Sequence, residues 1–414
     1  MCTAPRLQYQ DRHLNNPPSA HSATRATGQN LLLLALTYFC YFGYFGVTVP
    51  FLGVFLDGRG FTSVQIGELI AVITFVRILG PNLWAIIADK SGQTLRVMQA
   101  GCLITLLSYL LLFKVQDFWG ISLAFGLVMM FWTAIAPQME TITLNAVEGD
   151  AKRYSNIRLW GSVGFIVASI VAGIFVDHSG SESILLLNTV ILTGLFVMSL
   201  LIRDGKSTLV SEQVTRSIWQ AALHPAFVIF IVASVLLQLS FAPYYGFFAL
   251  YMRDMGYDAQ QIGWLVSLGV AAEVIIFLLA GKLINRMGVK YTLIFCLLIT
   301  GLRWWALALF ADQPVILLLS QCIHAFSFGL AHAAAMQFIH HHFGENQKSR
   351  GQAIYVSVSF GLGGSLGSYL AGHLWQQGTG AGLTFFIAAA ASVFGALLLG
   401  LVKSADMRRS TAPG

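Results

Sequence analysis

Apolar stretches of membrane-spanning length follow one another along almost the whole chain of 414 residues. Hydrophobic residues make up 56% of the sequence and charged residues only 10%, and the mean hydropathy is +0.71. A helix needs about 20 apolar residues to cross a bilayer. Because a backbone inside lipid must satisfy its own hydrogen bonds, stretches of this length favour helices. The sequence therefore predicts an all-α membrane protein.

Twelve such stretches can be placed, and a long polar stretch separates the first six from the last six. The expected spans are 30–55, 64–88, 96–114, 118–143, 157–176, 183–202, 225–251, 261–284, 290–311, 314–339, 350–373 and 380–402. We expect two pseudo-symmetric six-helix bundles. The expected domains are a cytoplasmic tail over 1–29, one bundle over 30–202, a cytoplasmic linker over 203–224, a second bundle over 225–402 and a cytoplasmic tail over 403–414.

The distribution of basic residues predicts the orientation of the chain. If the amino terminus is cytoplasmic, most of the 24 Lys and Arg residues fall on the cytoplasmic side, and the opposite loops hold only Arg59, Lys114 and Arg253. Cytoplasmic loops of membrane proteins carry this excess. We therefore expect a multi-pass membrane protein with both termini in the cytoplasm. The net charge of +6 is then a topology signal and implies no nucleic-acid partner.

An internal repeat relates the two parts of the chain. A shift of 196 residues superposes these pairs: Arg77 on Glu273, Ile66-Gly67 on Ile262-Gly263, Asp89 on Asn285, and Gly92 on Gly288. Duplicated membrane bundles are typical of transporters, because similar halves can rock about a central site. An ionisable residue at bilayer depth is costly and indicates function. The repeat therefore predicts a transporter with Arg77 and Glu273 near its centre.

Other ionisable residues also fall within the expected spans. Glu140 and Arg158 lie at similar depth on neighbouring helices, and so do Glu273 and Arg303, so each pair is expected to neutralise itself. Arg77 then has no partner in the protein. Our hypothesis is that a substrate carboxylate supplies the missing negative charge through a bidentate contact. A fixed ion pair that locks two helices together is the alternative.

Aromatic residues crowd the first and seventh expected spans. They are Tyr38, Phe39, Tyr41, Phe42, Tyr44 and Phe45, then Phe241, Tyr244, Tyr245, Phe247, Phe248 and Tyr251. Rings at a binding site can stack on an aryl group or on a sugar face. Lipid contact and helix packing explain most of them equally well. Tyr44 and Tyr244 are our candidates for substrate contact.

Two histidines, His324 and His332, are eight residues apart and so lie on roughly the same side of the tenth span. Each is a candidate for proton relay or substrate contact, and hydrogen bonding to Gln321 or Gln337 is the structural alternative. The triplet His340-His341-His342 is interpreted as a solvated helix end. A metal site there would need further ligands, and Glu345 is the acidic residue near the triplet.

Two short basic loops resemble the loop motif of the major facilitator superfamily, Gly-x-x-x-Asp-x-x-Gly followed by basic residues. The first copy has Ala85, Asp89, Gly92 and Arg96, and the second has Gly281, Asn285, Gly288 and Lys290. The first copy lacks the leading glycine, and the second replaces the acid with an amide. The resemblance implies twelve helices in two bundles and a cavity lined by the first and seventh helices.

Spans four and five resemble the lactose-permease type of proton symporter. Glu140 is followed eighteen residues later by Arg158, in the run Arg158-Leu-Trp-Gly-Ser-Val-Gly-Phe165. The resemblance implies that Glu140 and Arg158 contact the substrate and that Phe165 stacks on it. It also places Arg303 and His324 near a proton-coupling arginine and histidine. Ser327 departs from the pattern, since an acid is expected there, and Glu273 sits about one turn from the expected position.

Nearly the whole chain is similar to bacterial phenylpropionate permeases. The similarity rests on the Arg158 run, on Ser267-Leu-Gly-Val-x-x-Glu273-Val-Ile-Ile-Phe277, and on His324 and His332 followed by Ala-rich sequence to Met336. It implies an uptake carrier of the bacterial inner membrane but does not fix the substrate, and proton-coupled uptake of a small aromatic carboxylate is our first expectation. The candidate substrate-binding residues are Arg77, Glu140, Arg158, Phe165, Tyr44 and Tyr244, and the candidate proton-coupling residues are Glu273, Arg303, His324 and His332.

We therefore expect a monomeric secondary transporter, not an enzyme, with a small-molecule substrate, protons as the coupling ion and no cofactor or metal. No P-loop is present, so direct ATP hydrolysis is not expected. Proton symport of a neutral sugar or nucleoside is the first alternative. A drug-exporting antiporter is disfavoured because the fifth span lacks a glycine-proline motif. A metal-dependent membrane enzyme built on the histidines and a non-transporting membrane sensor come from other classes.

Overall fold

The computed structural model describes residues 28–203, 218–344 and 347–407, which are helical without strands. Most of the expected tails and linker, at 1–27, 204–217 and 408–414, lies outside the described residues, as does Glu345. The first helices are α1 (Gly28–Gly58), α2 (Ser63–Ser91), α3 (Thr94–Leu110), α4 (Phe118–Trp132), α5 (Ile135–Ala146), α6 (Ala151–Ser179), α7 (Ser183–Leu201) and α8 (Trp219–Ala222). The others are α9 (Pro225–Asp254), α10 (Ala259–Met287), α11 (Val289–Phe310), α12 (Pro314–His324), α13 (Ala331–His342), α14 (Lys348–Tyr355), α15 (Gly364–Trp375) and α16 (Ala381–Leu401).

Within these ranges, ten helical stretches are long and apolar enough to cross a membrane. They are Asn30–Gly58, Thr94–Phe113, Phe118–Ala146, Ala151–Ser179, Ser183–Leu201, Pro225–Asp254, Ala259–Met287, Val289–Phe310, Pro314–His342 and Ala381–Leu401. The all-α membrane prediction is confirmed. The expected spans 64–88 and 350–373 are helical but are not among the ten. In the first of them, Glu68 and Arg77 interrupt the apolar sequence.

Two helical positions adopt the wider π-helix, which the sequence analysis did not foresee. Ala325–Leu330 joins α12 to α13, and Val356–Gly363 joins α14 to α15. A π-helical turn holds more residues than an α-helical one, and such segments are frequent at functional sites. Glycines in both segments allow close contact with other helices, because Gly329 faces Glu273 and Gly361 faces Ile78.

The helices form an N-terminal group, α1–α7, and a C-terminal group, α9–α16. In the N-terminal group α1 packs on α6 and α7, while in the C-terminal group α9 packs on α15 and α16. Small residues permit the closest packing: a Cβ added at Gly164 would lie 2.8 Å from Cα of Phe39. The small residues of α6 therefore form a packing surface, as membrane helices require where lipid gives no hydrophobic drive.

The two groups meet along α2 with α15, α6 with α10, and α1 with α9. We call the end of the molecule at which α1 ends and α2 begins the far end. Arg59 fixes the loops there, because its guanidinium bonds to Glu182 and to the carbonyl oxygen of Val115. The described hydrogen bonds that cross between the groups lie toward this end, including Arg253 to Asp57. The far end is closed.

Candidate functional site

Three C-terminal helices bring together Glu273, His324 and Arg303. Glu273 lies midway along α10, Arg303 midway along α11 and His324 at the end of α12. Nη1 of Arg303 is 3.0 Å from Nδ1 of His324, and Nε2 of His324 is 3.8 Å from Oε2 of Glu273. The expected direct Glu273–Arg303 pair is therefore wrong for this conformation, since the imidazole lies between the two charges.

The hydrogen bond to Arg303 fixes the tautomer of His324. A guanidinium can only donate, so Nδ1 of His324 must accept and the ring proton must lie on Nε2. That N–H is directed at the carboxyl group of Glu273. At 3.8 Å the two atoms are short of a hydrogen bond, and an approach of about 1 Å would complete one. Glu273 and His324 are thus the members of the chain that can hold a proton, and Arg303 fixes the orientation of the imidazole.

Arg303 is fully buried at 0% exposure between aromatic rings. Its Cζ lies 4.3 Å from the ring centre of Trp304 and 4.4 Å from that of Tyr244. Its Nε and Nη2 have no hydrogen-bond partner among the described residues. The Tyr244 hydroxyl donates to Oε1 of Gln321 at 2.8 Å. Tyr244 therefore lies in this cluster, as a support for Arg303 and Gln321.

The first π-helix arranges a column of rings beside this chain. Phe328 stacks between His324, at 5.7 Å and 4°, and His332, at 6.3 Å and 8°. Nδ1 of His332 is buried with no hydrogen-bond partner among the described residues. Gly329 leaves room for Glu273, since a Cβ there would lie 2.9 Å from Cγ of the glutamate. The prediction that the two histidines share one side of the tenth span is confirmed.

The N-terminal group presents a more open arrangement. The guanidinium of Arg158 lies 4.1 Å from the ring centre of Phe42, while Glu140 is exposed on α5. No ion pair joins Glu140 to Arg158 among the described residues, so the expected pairing is wrong in this conformation. Arg158 is close enough to act electrostatically on Glu273 and His332 in the opposite group. We use the term central cleft for the space bordered by five residues: Phe42, Glu140, Arg158, Glu273 and His332.

Arg77 also faces the central cleft. Its side chain is exposed, although Ile78 beside it packs against Gly361 of the C-terminal group. Tyr41 of α1 and Tyr245 of α9 are close enough to interact electrostatically with the guanidinium of Arg77. Among the described residues no carboxylate forms an ion pair with it. The arrangement leaves a cation available to an anion that enters the cleft.

The remaining aromatic candidates occupy different environments. Tyr44 is 1% exposed and packs on Trp132, with ring centres 4.5 Å apart, and the neighbouring Tyr41 stacks on the same indole at 4.2 Å. Phe165 is half-buried on α6, where its backbone lies against Gly46. Tyr41 and Phe42, which the sequence analysis named only as part of a crowded helix, are the rings beside Arg77 and Arg158. Helical periodicity could not have distinguished Tyr41 from Tyr44 as the ring near the cleft, because the two residues lie about one turn apart on the same helix.

The histidine triplet is only partly solvated. His340 and His341 are exposed, as expected, but His342 is 0% exposed and its Nε2 lies 2.9 Å from the carbonyl oxygen of Ala221. The expectation of a solvated end is therefore wrong for His342, because α8 covers it. Among the described residues no group of three or more His, Cys, Asp or Glu is placed to hold a metal ion.

A family model described as the MFS_1-like family matches residues 31–387. The chain is 32% identical over 357 residues to the "Probable 3-phenylpropionic acid transporter" of Escherichia coli K12, covering 84% of this chain and 92% of that one. It is 27% identical over 351 residues to the maltose permease of Geobacillus stearothermophilus, covering 83% and 88%.

Solved structures share the fold. A mutant of the nucleoside transporter NupG superposes with a TM-score of 0.82 at 18% identity, covering 90% of this chain and 99% of that one. A bacterial homologue of the human lysosomal transporter Spinster gives a TM-score of 0.71 at 14% identity, covering 93% and 98%. These relatives are transporters and none is an enzyme. The chain therefore belongs to the MFS_1-like family, and it is a multi-pass membrane transporter of the major facilitator type that binds a small-molecule substrate within the bilayer.

Proposed function

We propose that the protein takes up a small aromatic carboxylate together with protons, by alternating access to the central cleft. The observation that carries this proposal is Arg77, an exposed mid-helix cation with no ion-pair partner among the described residues. A carboxylate offers it two oxygens in the geometry that a guanidinium binds best. The relative named for 3-phenylpropionic acid supports an aryl acid as the substrate.

The rings beside Arg77 and Arg158 suit the rest of such a substrate. Tyr41 and Tyr245 lie within electrostatic reach of Arg77, and Phe42 lies under the guanidinium of Arg158 at 4.1 Å. Aromatic rings at a site favour offset or edge contacts with another ring. We assign Arg77 to the carboxylate, and Glu140, Arg158 and Phe165 to the remainder of the bound molecule.

Glu273, His324 and Arg303 supply the proton coupling in this proposal. Glu273 carries the proton, and His324 either holds it by hydrogen bonding or receives it once Arg303 moves away from Nδ1. Arg158 lies within electrostatic reach of Glu273 across the cleft. An anion held by Arg77 in the same cleft offsets the positive charge that acts on Glu273, and a nearby negative charge favours the protonated carboxyl group. Anion binding and proton binding therefore favour each other, as symport requires.

The proposal includes the architecture that the sequence predicts. Twelve spans form two six-helix bundles over 30–202 and 225–402, joined by the linker 203–224, in the bacterial inner membrane. The tails 1–29 and 403–414 are cytoplasmic, the protein acts as a monomer, and nucleic acid is not a partner. With this orientation the closed far end faces away from the cytoplasm, so the cleft would open toward the cell interior.

Counterflow and pH-gradient-driven uptake in proteoliposomes test the proposal directly. The panel consists of radiolabelled 3-phenylpropionate, maltose and a nucleoside, each with and without an imposed proton gradient. We expect accumulation of 3-phenylpropionate that disappears when an ionophore collapses the gradient. Uptake of 3-phenylpropionate that ignores the gradient would refute the coupling, and no uptake of it would refute the substrate.

Proton symport of a neutral sugar or nucleoside is the second candidate. The maltose permease relative and the NupG likeness favour it. In that case Glu140 and Arg158 would bind hydroxyl groups and Arg77 would hold water or a helix carbonyl. Maltose or nucleoside accumulation in the same panel, without 3-phenylpropionate uptake, would select this candidate.

A further inference from the structure

An ion pair joins the two groups at the centre of the far end. Nη1 of Arg253, at the end of α9, lies 2.7 Å from Oδ2 of Asp57, at the end of α1. The two residues are 196 positions apart, which is the repeat distance of the chain. Equivalent positions of the two repeats thus carry opposite charges and meet across the boundary. The ion pair is partly exposed, at 46% and 31%, so solvent screens it.

Two of the helices that begin at the far end, α2 and α10, start in the same way. α2 has a capping box formed by Thr62 and Gln65, and α10 has one formed by Asp258 and Gln261. A capping box leaves other first-turn N–H groups without an acceptor inside the helix. Acceptors from the opposite group fill these positions in both helices.

The acceptors differ between the two helices. Asp177, at the end of α6, accepts from the backbone N–H groups of Ala259 and Gln260, both at 2.8 Å. Gln377, after α15, accepts from the N–H of Ser63 at 2.8 Å. Ser63 and Ala259 are again 196 positions apart. One helix start is therefore tied across the boundary by a carboxylate that accepts two backbone bonds. Its repeat equivalent is tied by the neutral Ser63–Gln377 pair, in which the Ser63 hydroxyl also donates to Oε1 of Gln377 and accepts from the backbone N–H of Gln377 at 2.9 Å.

Packing beneath these ties is nearly the same on both sides. A Cβ at Gly67 of α2 would lie 2.6 Å from Cα of Gly372, and a Cβ at Gly263 of α10 would lie 2.6 Å from the carbonyl oxygen of Ser169. Both contacts bring helix backbones together with no room for a side chain. The difference between the two contact lines therefore lies in the polar ties.

Two features favour the Asp177 tie, although its carboxylate is exposed and the Ser63–Gln377 tie is part-buried. A carboxylate at a helix amino terminus interacts favourably with the helix dipole, and charge-assisted hydrogen bonds exceed neutral ones. Gln377 reaches Ser63 only because Gln376 and Gln377 both adopt left-handed backbone, with φ of 47° and 52°. That conformation is unfavourable for residues other than glycine.

We propose that Asp177 is the principal latch of the far end, and that the α2–α15 contact line separates before the α6–α10 line when the far end opens. Asp57 and Arg253 add a weaker, salt-sensitive tie between them. This proposal rests on alternating access, since a latch regulates only an end that opens. It makes Asp177 a positioning residue that sets the balance between far-closed and far-open states without touching the substrate.

Spin-label distances across the far end test the latch without a transport assay. The exposed loop residues Gln116 and Gln313 are changed to Cys in full-length protein in nanodiscs, with Cys2, Cys40 and Cys322 replaced by Ala. Asp177→Asn should raise the ratio of far-open to far-closed protein about tenfold, because it weakens two charge-assisted bonds. Gln377→Ala and Asp57→Asn should each raise it about threefold or less.

Glu182→Gln is the matched control, because Glu182 forms an equally short ion pair with Arg59 at the same end but within one group. It should leave the ratio unchanged. An Asp177→Asn ratio no higher than that of Glu182→Gln would overturn the latch while leaving alternating access standing. A far end that stays closed in wild type and in every variant would instead contradict alternating access, and the latch with it. Asp177→Glu, which keeps the charge, should retain most of the closed population. If Asp177→Asn folds poorly, Asp177→Glu and Asp57→Asn still allow the ratio to be compared, because Asp57→Asn leaves both helix caps intact.

Discussion

The charged side chains on the two sides of the central cleft differ in their exposure and in their partners. On the N-terminal side Arg77 and Glu140 are exposed, and among the described residues neither forms an ion pair. On the C-terminal side Arg303 is fully buried, and it is linked through His324 to Glu273, whose side chain is 15% exposed. Arg77 and Glu273 therefore occupy equivalent positions of the repeat, but their side chains have different surroundings.

This difference has a physical reading. A charge that borders a wet cleft keeps its hydration and needs no fixed partner, so it remains available to a solute. A buried charge is expensive unless neighbouring groups hydrogen-bond to it, so Arg303 and Glu273 are held in a connected chain. The open side suits recognition of an anion, and the connected side suits retention and release of a proton. Changes confined to one side should therefore affect one property more than the other.

The largest effect is expected from Glu273→Gln. The amide cannot carry a proton, so accumulation driven by a pH gradient should be lost, while exchange of labelled for unlabelled substrate should persist. Paired measurements of driven uptake and counterflow in proteoliposomes check this outcome. Glu148→Gln, at an exposed position away from the cleft, should behave as wild type. If Glu273→Gln still accumulates substrate in response to a pH gradient, Glu273 does not carry the coupled proton.

Arg77→Lys is expected to be the next most damaging change. Lysine keeps the charge but loses the bidentate geometry, so uptake of an anionic substrate at low concentration should fall by at least about tenfold. The loss should appear in KM and equally in driven uptake and counterflow, unlike the Glu273→Gln effect. Arg96→Lys, on an exposed near-surface side chain, is the control. Uptake at the wild-type rate by Arg77→Lys would contradict the hypothesis that Arg77 binds the substrate carboxylate.

Gly329→Ala should disturb the connected side alone. The new Cβ would lie 2.8 Å from Cγ2 of Ile276 and 2.9 Å from Cγ of Glu273, and overpacking of this kind costs about 1–3 kcal/mol of stability. We expect a lower melting temperature and a reduced ratio of driven uptake to counterflow. Gly281→Ala is the matched control, because Gly281 lies on α10, the helix that carries Glu273, and has open space around it. Equal effects from the two changes would mean that Gly329 does not position Glu273.

The smallest effect is expected from Tyr244→Phe. It removes the donor to Oε1 of buried Gln321, and an unsatisfied buried acceptor costs about 1–3 kcal/mol. Thermal unfolding should register this loss, and driven uptake should fall more than counterflow because the ring under Arg303 is no longer anchored by its hydroxyl. Tyr44→Phe keeps the ring packed on Trp132 and should change neither transport measurement. A substrate-affinity loss in Tyr44→Phe would show that Tyr44 reaches the cleft in another conformation.

The sequence predicted the general plan because that plan depends on composition and spacing. The all-helical membrane fold, the family and the placement of His324 and His332 on one side of a helix all follow from apolar length, motif residues and helical periodicity. The same repeat also contained an unused signal, since Asp57 and Arg253 superpose under the shift that relates Arg77 to Glu273. Opposite charges at equivalent loop positions could have indicated a contact between the two groups.

Contacts between distant helices decided the rest. The sequence established that ionisable residues at 77, 140, 158, 273 and 303 must be placed in a membrane bundle, because charge cannot be left in lipid without compensation. Only the tertiary structure decided that His324 separates Glu273 from Arg303, that Glu140 and Arg158 stay apart, and that Tyr41 rather than Tyr44 lies by Arg77. Helical spacing fixes the face on which a residue lies, but side-chain partners depend on helix rotation, tilt and local π-helical turns. Those arise from packing between segments far apart in the chain.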